Sequence, residues 1–379
     1  MKLLSINLMK NRIKLTLLGL LFLNVCANAQ SVETRLQAVV DSIYAANPSS
    51  VGIMVHIESP ERGISWSGAT GYPYKNATIK LEPDQPALIA SNIKTYVSTT
   101  ILRLVETGNL SIDQPISNLL SDKTRILFEQ GGYNLDSIAI KHLLSHTSGI
   151  QNYANQKYID FIDKNKNYRW TRDEQLELTI ETGPILAKPG TTFNYADANY
   201  LLLTEIIEQI TKKPFYSAMR ELLRYESLGL NHTWMPTLEE KPIQTKTLVH
   251  QYWGANAWDS YDIDISVDLY GGGGIACTTS DLANFVFKLF NNEIIKDTTI
   301  FNLIFTEIPT KDDKPSNYYL GLSSSEYQGL KAYGHSGFWG TVVLYFPDLK
   351  TSIAVFVLER DKRRLRQEII GRVIGILNE

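Results

Sequence analysis

Two β-rich regions near the ends of the chain flank a long helical middle, and this arrangement constrains the fold most. Near the start, residues 51–57 and 63–68 are predicted strands joined by a short turn-forming segment. Near the end, residues 341–346 and 351–358 are predicted to form a second hairpin across Pro347-Asp348. The simplest assembly is one antiparallel sheet built from both chain ends.

The middle of the chain is predicted to be mainly helical. Apolar residues recur at helical spacing over about 93–106, 138–144, 172–182, 200–211, 215–223 and 280–290. Thr278 and Asp281 are placed to form a capping box at the start of the last of these helices. The tail, residues 364–377, also has helical spacing.

These elements predict an α+β fold in which terminal helices flank the sheet and a mainly α-helical domain is inserted. The sheet subdomain would cover about residues 30–90 and 320–379, and the helical subdomain about 91–319. Small-molecule sites tend to form in the cleft between two such subdomains.

The first 29 residues have the layout of a cleaved secretory signal. A basic flank within residues 10–14 precedes an apolar run over 15–25, and Ala27-Asn28-Ala29 follows. The apolar run is short for a bilayer span, so no transmembrane segment is expected in the mature chain. The pattern predicts a secreted or periplasmic protein. Cys26 would offer a lipid attachment site, but bulky Val25 before it fits lipoprotein processing poorly.

Composition excludes several classes of partner. The 379 residues carry a net charge of −3, which gives no reason to expect nucleic acid or an anionic membrane surface as a partner. The short basic cluster at 362–364 is interpreted as a solvated helix start. After cleavage only Cys277 remains, so no internal disulfide can form, and its apolar surroundings indicate a buried thiol. The histidines lack metal-ligand spacing, and no cofactor is called for.

Ser91 and Lys94 are the leading candidates for catalytic residues. A serine hydroxyl is a poor nucleophile at neutral pH unless a base lies beside it. If residues 93–106 form a helix, positions i and i+3 share a face, so the Lys94 amine can reach the Ser91 hydroxyl. At the helix start the Ser91 N–H would also point into the site and help to bind an oxyanion. This is the only Ser-x-x-Lys in the chain.

Residues 91–95, Ser-Asn-Ile-Lys-Thr, resemble the first motif of the β-lactamase-like serine hydrolase family. The family includes class C β-lactamases, D-alanyl-D-alanine carboxypeptidases, D-aminopeptidases and some esterases. Residues 140–149, Pro189-Gly190, Gly272-Gly273 and Gly334-His335-Ser336-Gly337 are similar to later family motifs in the same order. The resemblance covers most of the mature chain and implies a β-lactamase/transpeptidase-like fold with its active site between two domains.

The resemblance places the functional tyrosine at Tyr195, although the literal matches to the family's Tyr-x-Asn pattern begin at Tyr153 and Tyr74. The third residue is then Asp197, where the family has asparagine. An ionised aspartate only accepts hydrogen bonds. Asp197 is therefore expected to hold the Lys94 ammonium group, to favour the protonated form of that lysine and to shift proton transfer towards Tyr195.

The resemblance also implies that His335, Ser336 and Gly337 form the polar strand edge along which substrate lies. His335 stands where class C β-lactamases carry lysine. The glycine lets substrate approach the backbone. The N–H of Phe338 would be the second oxyanion donor beside the Ser91 N–H. Asp197 and residues 336–338 are thus the expected substrate-binding residues.

These features predict a serine hydrolase that forms an acyl-enzyme on Ser91, with Lys94 or Tyr195 as the base and His335 assisting. A D-alanyl-D-alanine carboxypeptidase-like peptidase is the leading interpretation. A small-molecule esterase or a class C-type β-lactamase is the alternative within the family, so the substrate would be a D-amino-acid peptide, an ester or a β-lactam. A non-catalytic penicillin-binding or sensor protein is the alternative of another class.

Overall fold

One antiparallel sheet joins the two ends of the chain. The structure, a computed structural model, describes residues 31–307 and 316–379. Within these ranges the sheet has six strands in the spatial order β2–β1–β6–β5–β4–β3. The strands are β1 (Gly52–Ser59), β2 (Ile64–Gly71), β3 (Ser323–Tyr327), β4 (Leu330–Ser336), β5 (Thr341–Phe346) and β6 (Thr351–Val357). Two short pairs lie outside it: Ala87–Leu88 with Ala276–Cys277, and Tyr252–Trp253 with Trp258–Asp259.

The pairing of β1 with β6 confirms the prediction that both chain ends build the sheet. Ile53 lies opposite Val357, and Val55 lies opposite Val355. Both strands are buried along their whole length, because helices cover both faces of the sheet. The β3–β4 hairpin was not predicted.

The middle of the chain is helical, as predicted. In chain order the α-helices of the described ranges are α1 (Val32–Ala45), α2 (Ile93–Glu106), α3 (Asp122–Gln130), α4 (Ile140–Leu144), α5 (Gln156–Lys164), α6 (Arg172–Thr182), α7 (Ala198–Thr211), α8 (Phe215–Leu222), α9 (Thr279–Phe290), α10 (Thr298–Asn302) and α11 (Leu365–Leu377). The bounds of α2 and α6 are those that the apolar spacing predicts.

The terminal helices α1 and α11 pack against each other and against one face of the sheet, where Leu36 and Ile369 are fully buried. Helix α9 packs on the other face, against β1, β5 and β6. Residues of β6 alternate between these two cores: Val355 belongs to the first, and Ala354 and Phe356 belong to the second. Full burial of a side chain as large as Val355 or Phe356 contributes about 1.5–3 kcal/mol.

The start of α9 differs from the predicted capping box. Thr278 caps the helix, and its Oγ1 accepts a hydrogen bond from the Asp281 N–H at 3.1 Å. The Asp281 carboxylate does not return to the cap. Instead it accepts hydrogen bonds from the His232 N–H at 2.8 Å and the Thr233 hydroxyl at 2.7 Å. The second half of the predicted box is therefore wrong, because tertiary partners compete for that carboxylate.

The described structure leaves several of the predictions untested. The leader-like residues 1–29, including Cys26, lie outside the described residues. The division into sheet and helical subdomains stays a prediction. None of the helices in the described ranges is both long and apolar enough to cross a membrane. Cys277 is fully buried, and burial raises the pKa of its thiol, so it is an unreactive core residue.

Candidate active site

Ser91 lies in a single 3-10 turn, Ala90–Asn92, that runs directly into α2. Ala90 has a φ of 46°, in the left-handed region, which costs a non-glycine residue about 1–2 kcal/mol. The turn is held by Asn92, whose Nδ2 donates to the Ile89 carbonyl at 2.6 Å and to Thr341 Oγ1 at 2.9 Å. Ala90 and Asn92 are buried while Ser91 is half-buried, so Ser91 is the residue of this turn that reaches the surface of the cleft.

Lys94 lies one helical turn further on and is fully buried. Its Nζ donates hydrogen bonds to Ser91 Oγ at 3.1 Å, to Asp197 Oδ1 at 2.7 Å and to the Gly272 carbonyl at 2.9 Å. An ammonium group has three donors, so all of them are satisfied. The helical i and i+3 geometry thus brings the serine and lysine together as predicted, and the lysine also joins them to an acidic residue.

The charge of Asp197 fixes the protonation state of Lys94. Burial alone would lower the pKa of Lys94, but the Asp197 carboxylate, together with Tyr195 and Asp268, outweighs burial and raises that pKa above its ordinary value. Lys94 is therefore an ammonium ion in the resting protein and cannot accept a proton as it stands. This agrees with the expectation that aspartate at position 197, where the family has asparagine, favours the protonated form of Lys94.

Tyr195 lies in the loop before α7, with its ring centroid 5.1 Å from Lys94 Nζ. Burial raises the pKa of Tyr195 to about 12, and the positive charge of Lys94 opposes this rise. Buried His146 positions the loop: its Nδ1 accepts a hydrogen bond from the Ala196 N–H at 3.2 Å, and its ring lies 4.1 Å from the Tyr195 ring. Residues 140–149, which resemble a family motif and include His146, therefore help to position the loop that carries Tyr195.

Tyr153 and Tyr74 lie in other surroundings. Tyr153 is buried and stacks edge-to-face on Tyr158 in the wall of the cleft. Tyr74 is exposed and packs on His250. Of the three tyrosines considered from sequence, Tyr195 is the one whose ring lies over the Lys94 ammonium group.

His335 lies near the end of β4 and is buried behind the cleft wall. Its Nδ1 donates to the Ser336 carbonyl at 2.8 Å, so its Nε2 accepts from the Tyr318 hydroxyl at 3.1 Å. Burial lowers the pKa of His335 to about 3, and the Lys94 charge adds to this effect, so the imidazole is neutral. The His335 and Tyr195 rings are 6.4 Å apart, and they share no hydrogen bond in the described structure.

Gly337 lets the strand edge approach the nucleophile turn. A Cβ at this position would lie 2.2 Å from the Ile89 carbonyl oxygen and 2.3 Å from Thr341 Oγ1, so no side chain fits. Ser336 beside it is exposed. Within the described part of the chain the Ser91 and Phe338 N–H groups donate no hydrogen bond, which leaves both for an incoming oxyanion.

A cleft of about 520 Å³ connects these groups. Six of the eight predicted site residues line it: Ser91, Tyr195, Asp197, Ser336, Gly337 and Phe338. The other two, Lys94 and His335, lie behind the wall that these six form. Within the residues 31–307 and 316–379, no group of three or more His, Cys, Asp or Glu side chains is arranged to hold a metal ion.

Sequence reasoning missed four of the five charged residues that line the cleft. Asp268 lines it beside Asp197. Arg360, Arg363 and Arg366 also line it, and none of them forms an ion pair with a carboxylate among the described residues. The Arg360 guanidinium stacks over the Phe338 ring at 4.1 Å. Arg363 belongs to the basic cluster at 362–364, which directly precedes α11 as predicted, but nothing in that cluster indicates its place in the cleft.

The sequence model of the family described as Beta-lactamase matches residues 57–370 of this chain. The chain is 24% identical over 290 residues to PbpX of Bacillus subtilis (strain 168), whose name describes a penicillin-binding protein; the match covers 74% of this chain and 67% of PbpX. It is 26% identical over 313 residues to the N-acetylmuramyl-L-alanine amidase of the same strain, covering 70% of this chain and 66% of the amidase. The chain thus spans about two thirds of the length of both relatives.

Among solved structures, the fold is similar to that of the D-amino acid amidase from Ochrobactrum anthropi SV3 in complex with L-phenylalanine amide. The TM-score is 0.77 at 20% sequence identity, and the match covers 92% of this chain and 99% of that chain. At this identity the similarity shows a shared fold, which agrees with the α+β architecture predicted from sequence.

Proposed function

Because the chain belongs to the Beta-lactamase family, we propose that it is a serine hydrolase that forms an acyl-enzyme on Ser91. One observation carries this proposal: the Lys94 ammonium group bridges Ser91 Oγ and Asp197 Oδ1 at 3.1 and 2.7 Å, at the wall of a cleft large enough for a small substrate. The N–H groups of Ser91 and Phe338, which donate no hydrogen bond within the described ranges, support it, since they provide donors for a developing oxyanion.

The proton path follows from the charged state of Lys94. Ser91 Oγ forms a bond to the substrate carbonyl carbon as its proton leaves. Lys94 can take that proton only if it passes one of its own to Asp197, whose carboxylate is 2.7 Å away. Tyr195 offers the alternative route, although a phenol with a pKa of about 12 must first lose its own proton. Collapse of the intermediate breaks the amide or ester bond, and the proton that left Ser91 passes to the leaving group. Water then adds to the acyl carbonyl, one of its protons returns to Ser91 Oγ, and the free acid leaves.

The leading substrate is a peptide that ends in D-alanyl-D-alanine, as in a D,D-carboxypeptidase. Arg360, Arg363 and Arg366 line the cleft without carboxylate partners among the described residues, and such a group can bind the C-terminal carboxylate of a peptide. A neutral ester would leave these charges without a partner. The leader-like residues 1–29 support a secreted or periplasmic location, where such peptides are found.

The test is release of D-alanine from a D-alanyl-D-alanine peptide by the wild-type protein and by Ser91→Ala, with the L-alanyl-L-alanine peptide as control. We expect release from the D-peptide by the wild type alone. Saturable binding without release would contradict the proposal and indicate a non-catalytic sensor. Hydrolysis confined to simple esters or β-lactams would contradict the peptidase assignment and leave Ser91 as the nucleophile.

A further inference from the structure

Asn92, the residue after the nucleophile, is a fully buried amide that uses only half of its hydrogen-bonding groups. Its Nδ2 donates to the Ile89 carbonyl at 2.6 Å and to Thr341 Oγ1 at 2.9 Å. Its Oδ1 is buried and accepts no hydrogen bond from the part of the chain that the structure describes. A buried acceptor without a partner destabilises a folded protein. The two Nδ2 hydrogen bonds give a reason to keep this residue, because they join two segments of the active site.

Thr341, the first residue of β5, is the other half of this connection. It is fully buried, and its hydroxyl accepts from Asn92 and donates to the same Ile89 carbonyl at 3.0 Å. Its own carbonyl accepts a hydrogen bond from the Gly337 N–H at 2.8 Å. The side chain of Thr341 therefore holds the turn that carries the nucleophile, and its backbone holds the turn that follows β4.

The two turns touch at Gly337. A Cβ on this residue would lie 2.2, 2.3 and 2.9 Å from three atoms of the connection: the Ile89 carbonyl oxygen, Thr341 Oγ1 and Asn92 Nδ2. The Gly337 backbone therefore packs directly on the atoms that form these hydrogen bonds. Ser91 comes just before Asn92, and Phe338 comes just after Gly337. Each proposed oxyanion donor is thus the neighbour of a residue in this contact.

We propose that Asn92 and Thr341 are positioning residues that set the distance between the N–H groups of Ser91 and Phe338. Two oxyanion donors stabilise a transition state most when both reach the same oxygen, at about 2.7–3.1 Å. A displacement of about 1 Å can lower the rate about a hundredfold. The hydrogen bonds between the two turns resist such a displacement. Neither Asn92 nor Thr341 lines the cleft, so both act through the turns that they join.

This inference rests on the proposed function and adds two residues that do not contact the substrate. The connection should matter for the tetrahedral intermediate, whose oxyanion needs both donors, and little for the bound ground state. Thr341→Val replaces the hydroxyl with a methyl group of similar size and removes both of its hydrogen bonds. Hydrolysis of a simple ester should then lose about tenfold to a hundredfold in kcat, with KM changed by less than about threefold.

The test is calorimetric binding of phenylboronic acid, whose boron forms a reversible tetrahedral adduct with a nucleophilic serine and places an oxygen in the oxyanion hole. Wild type should bind it and Ser91→Ala should not. Thr341→Val should bind it about tenfold to a hundredfold more weakly than wild type. Thr341→Ser keeps the hydroxyl and should stay within about threefold of wild type. Should Thr341→Val fail to fold, Asn92→Ala breaks the same connection from the other turn and should show the same loss.

Thr351→Val is the matched control. Thr351 is a fully buried threonine of the neighbouring strand β6, and its hydroxyl bonds to the Leu349 carbonyl at 2.9 Å and to Ser59 Oγ at 2.7 Å. It does not line the cleft. The Thr351→Val protein should lose thermal stability much as Thr341→Val does, but it should keep wild-type affinity for the boronic acid.

Unchanged affinity of a folded Thr341→Val protein would overturn the inference. An equal loss in Thr351→Val would do so too, since it would show a general effect of removing a buried hydroxyl. The same holds for a Thr341→Ser protein that binds as weakly as Thr341→Val. Failure of the wild type to bind the boronic acid, or binding that persists in Ser91→Ala, would instead overturn the proposed function, on which the inference depends. The two failures are therefore distinguishable.

Discussion

Lys94 Nζ lies 2.7 Å from Asp197 Oδ1, and this ion pair sets the chemistry of the site. The lysine side chain is fully buried and the aspartate is 15% exposed, so solvent screens the pair weakly. The family's second motif carries asparagine at position 197. Aspartate there turns a neutral hydrogen bond into a charged one and keeps Lys94 protonated.

Asp197→Asn should lower the pKa of Lys94, because it removes the neighbouring negative charge and leaves burial to dominate. If Lys94 is the base, the acid limb of the kcat/KM profile should move to lower pH by about 1–3 units. Substrate preference should also change, with better handling of β-lactams, since the amide can donate to a substrate carbonyl. The measurement is the pH dependence of kcat/KM for a peptide and a β-lactam. If the acid limb does not move and the ratio of kcat/KM for the two substrates is unchanged, aspartate and asparagine at position 197 are functionally equivalent.

Tyr195→Phe should lower kcat/KM by about a hundredfold or more, as expected for a lost proton-transfer group. Tyr153→Phe is the matched control, because Tyr153 is also a buried tyrosine of the cleft wall but stacks on Tyr158. Its kcat/KM should stay within about threefold of the wild type. The reverse ranking of the two variants would mean that the functional tyrosine is Tyr153.

His335 should stay neutral throughout the physiological pH range. Its folded-state pKa of about 3 lies below the ordinary histidine value, so the stability tied to the neutral imidazole is present above about pH 6.5. That stability is lost as the pH falls from there towards 3. Nuclear magnetic resonance of the ring C–H protons should show no titration of His335 between about pH 5 and 8. A midpoint near the ordinary value would contradict the buried, Tyr318-bonded geometry.

Asp268→Asn should change how stability depends on pH. The folded-state pKa of Asp268, about 8, lies above the ordinary aspartate value of 3.8, so ionising it costs stability as the pH rises between these values. The groups that act on it are Asp197, which raises this pKa, and Lys94, which lowers it; Tyr153 and Tyr158 also lie near. Urea unfolding should therefore show the variant gaining stability relative to wild type from about pH 5 to 9. A difference that does not change with pH would show that Asp268 ionises freely in the folded protein.

Local patterns account for the parts of this fold that the sequence predicts. Helices α2 and α6 have the predicted bounds, since their apolar spacing sets the buried face, and for α6 Thr171 and Glu174 also form a capping box. Ser91 and Lys94 meet because they lie i and i+3 apart at the start of a helix. Strand β3, Ser323–Tyr327, was missed because a polar, partly exposed edge strand carries no alternation of apolar residues.

The remaining features depend on contacts between distant segments. Asp268 reaches the cleft because a turn is held by Gln175, about 90 residues earlier in the chain. Arg363, just before α11, lines the same cleft as Ser336 at the end of β4, although strands β5 and β6 separate them in the chain. The Asp281 carboxylate turns away from its own helix to meet His232 and Thr233. None of these pairings has a spacing that a sequence pattern would reveal.

The central claim is that Ser91 is the nucleophile, and intact-mass spectrometry tests it most directly. The mature protein is treated with a serine-reactive fluorophosphonate, and separately with a penicillin, and the adduct is mapped by proteolysis. Ser336→Ala serves as control, because Ser336 is the other serine that lines the cleft. A single adduct on the peptide that carries Ser91, retained in Ser336→Ala and lost in a folded Ser91→Ala protein, is the predicted result. Labelling that persists in Ser91→Ala would place the nucleophile elsewhere and contradict the account.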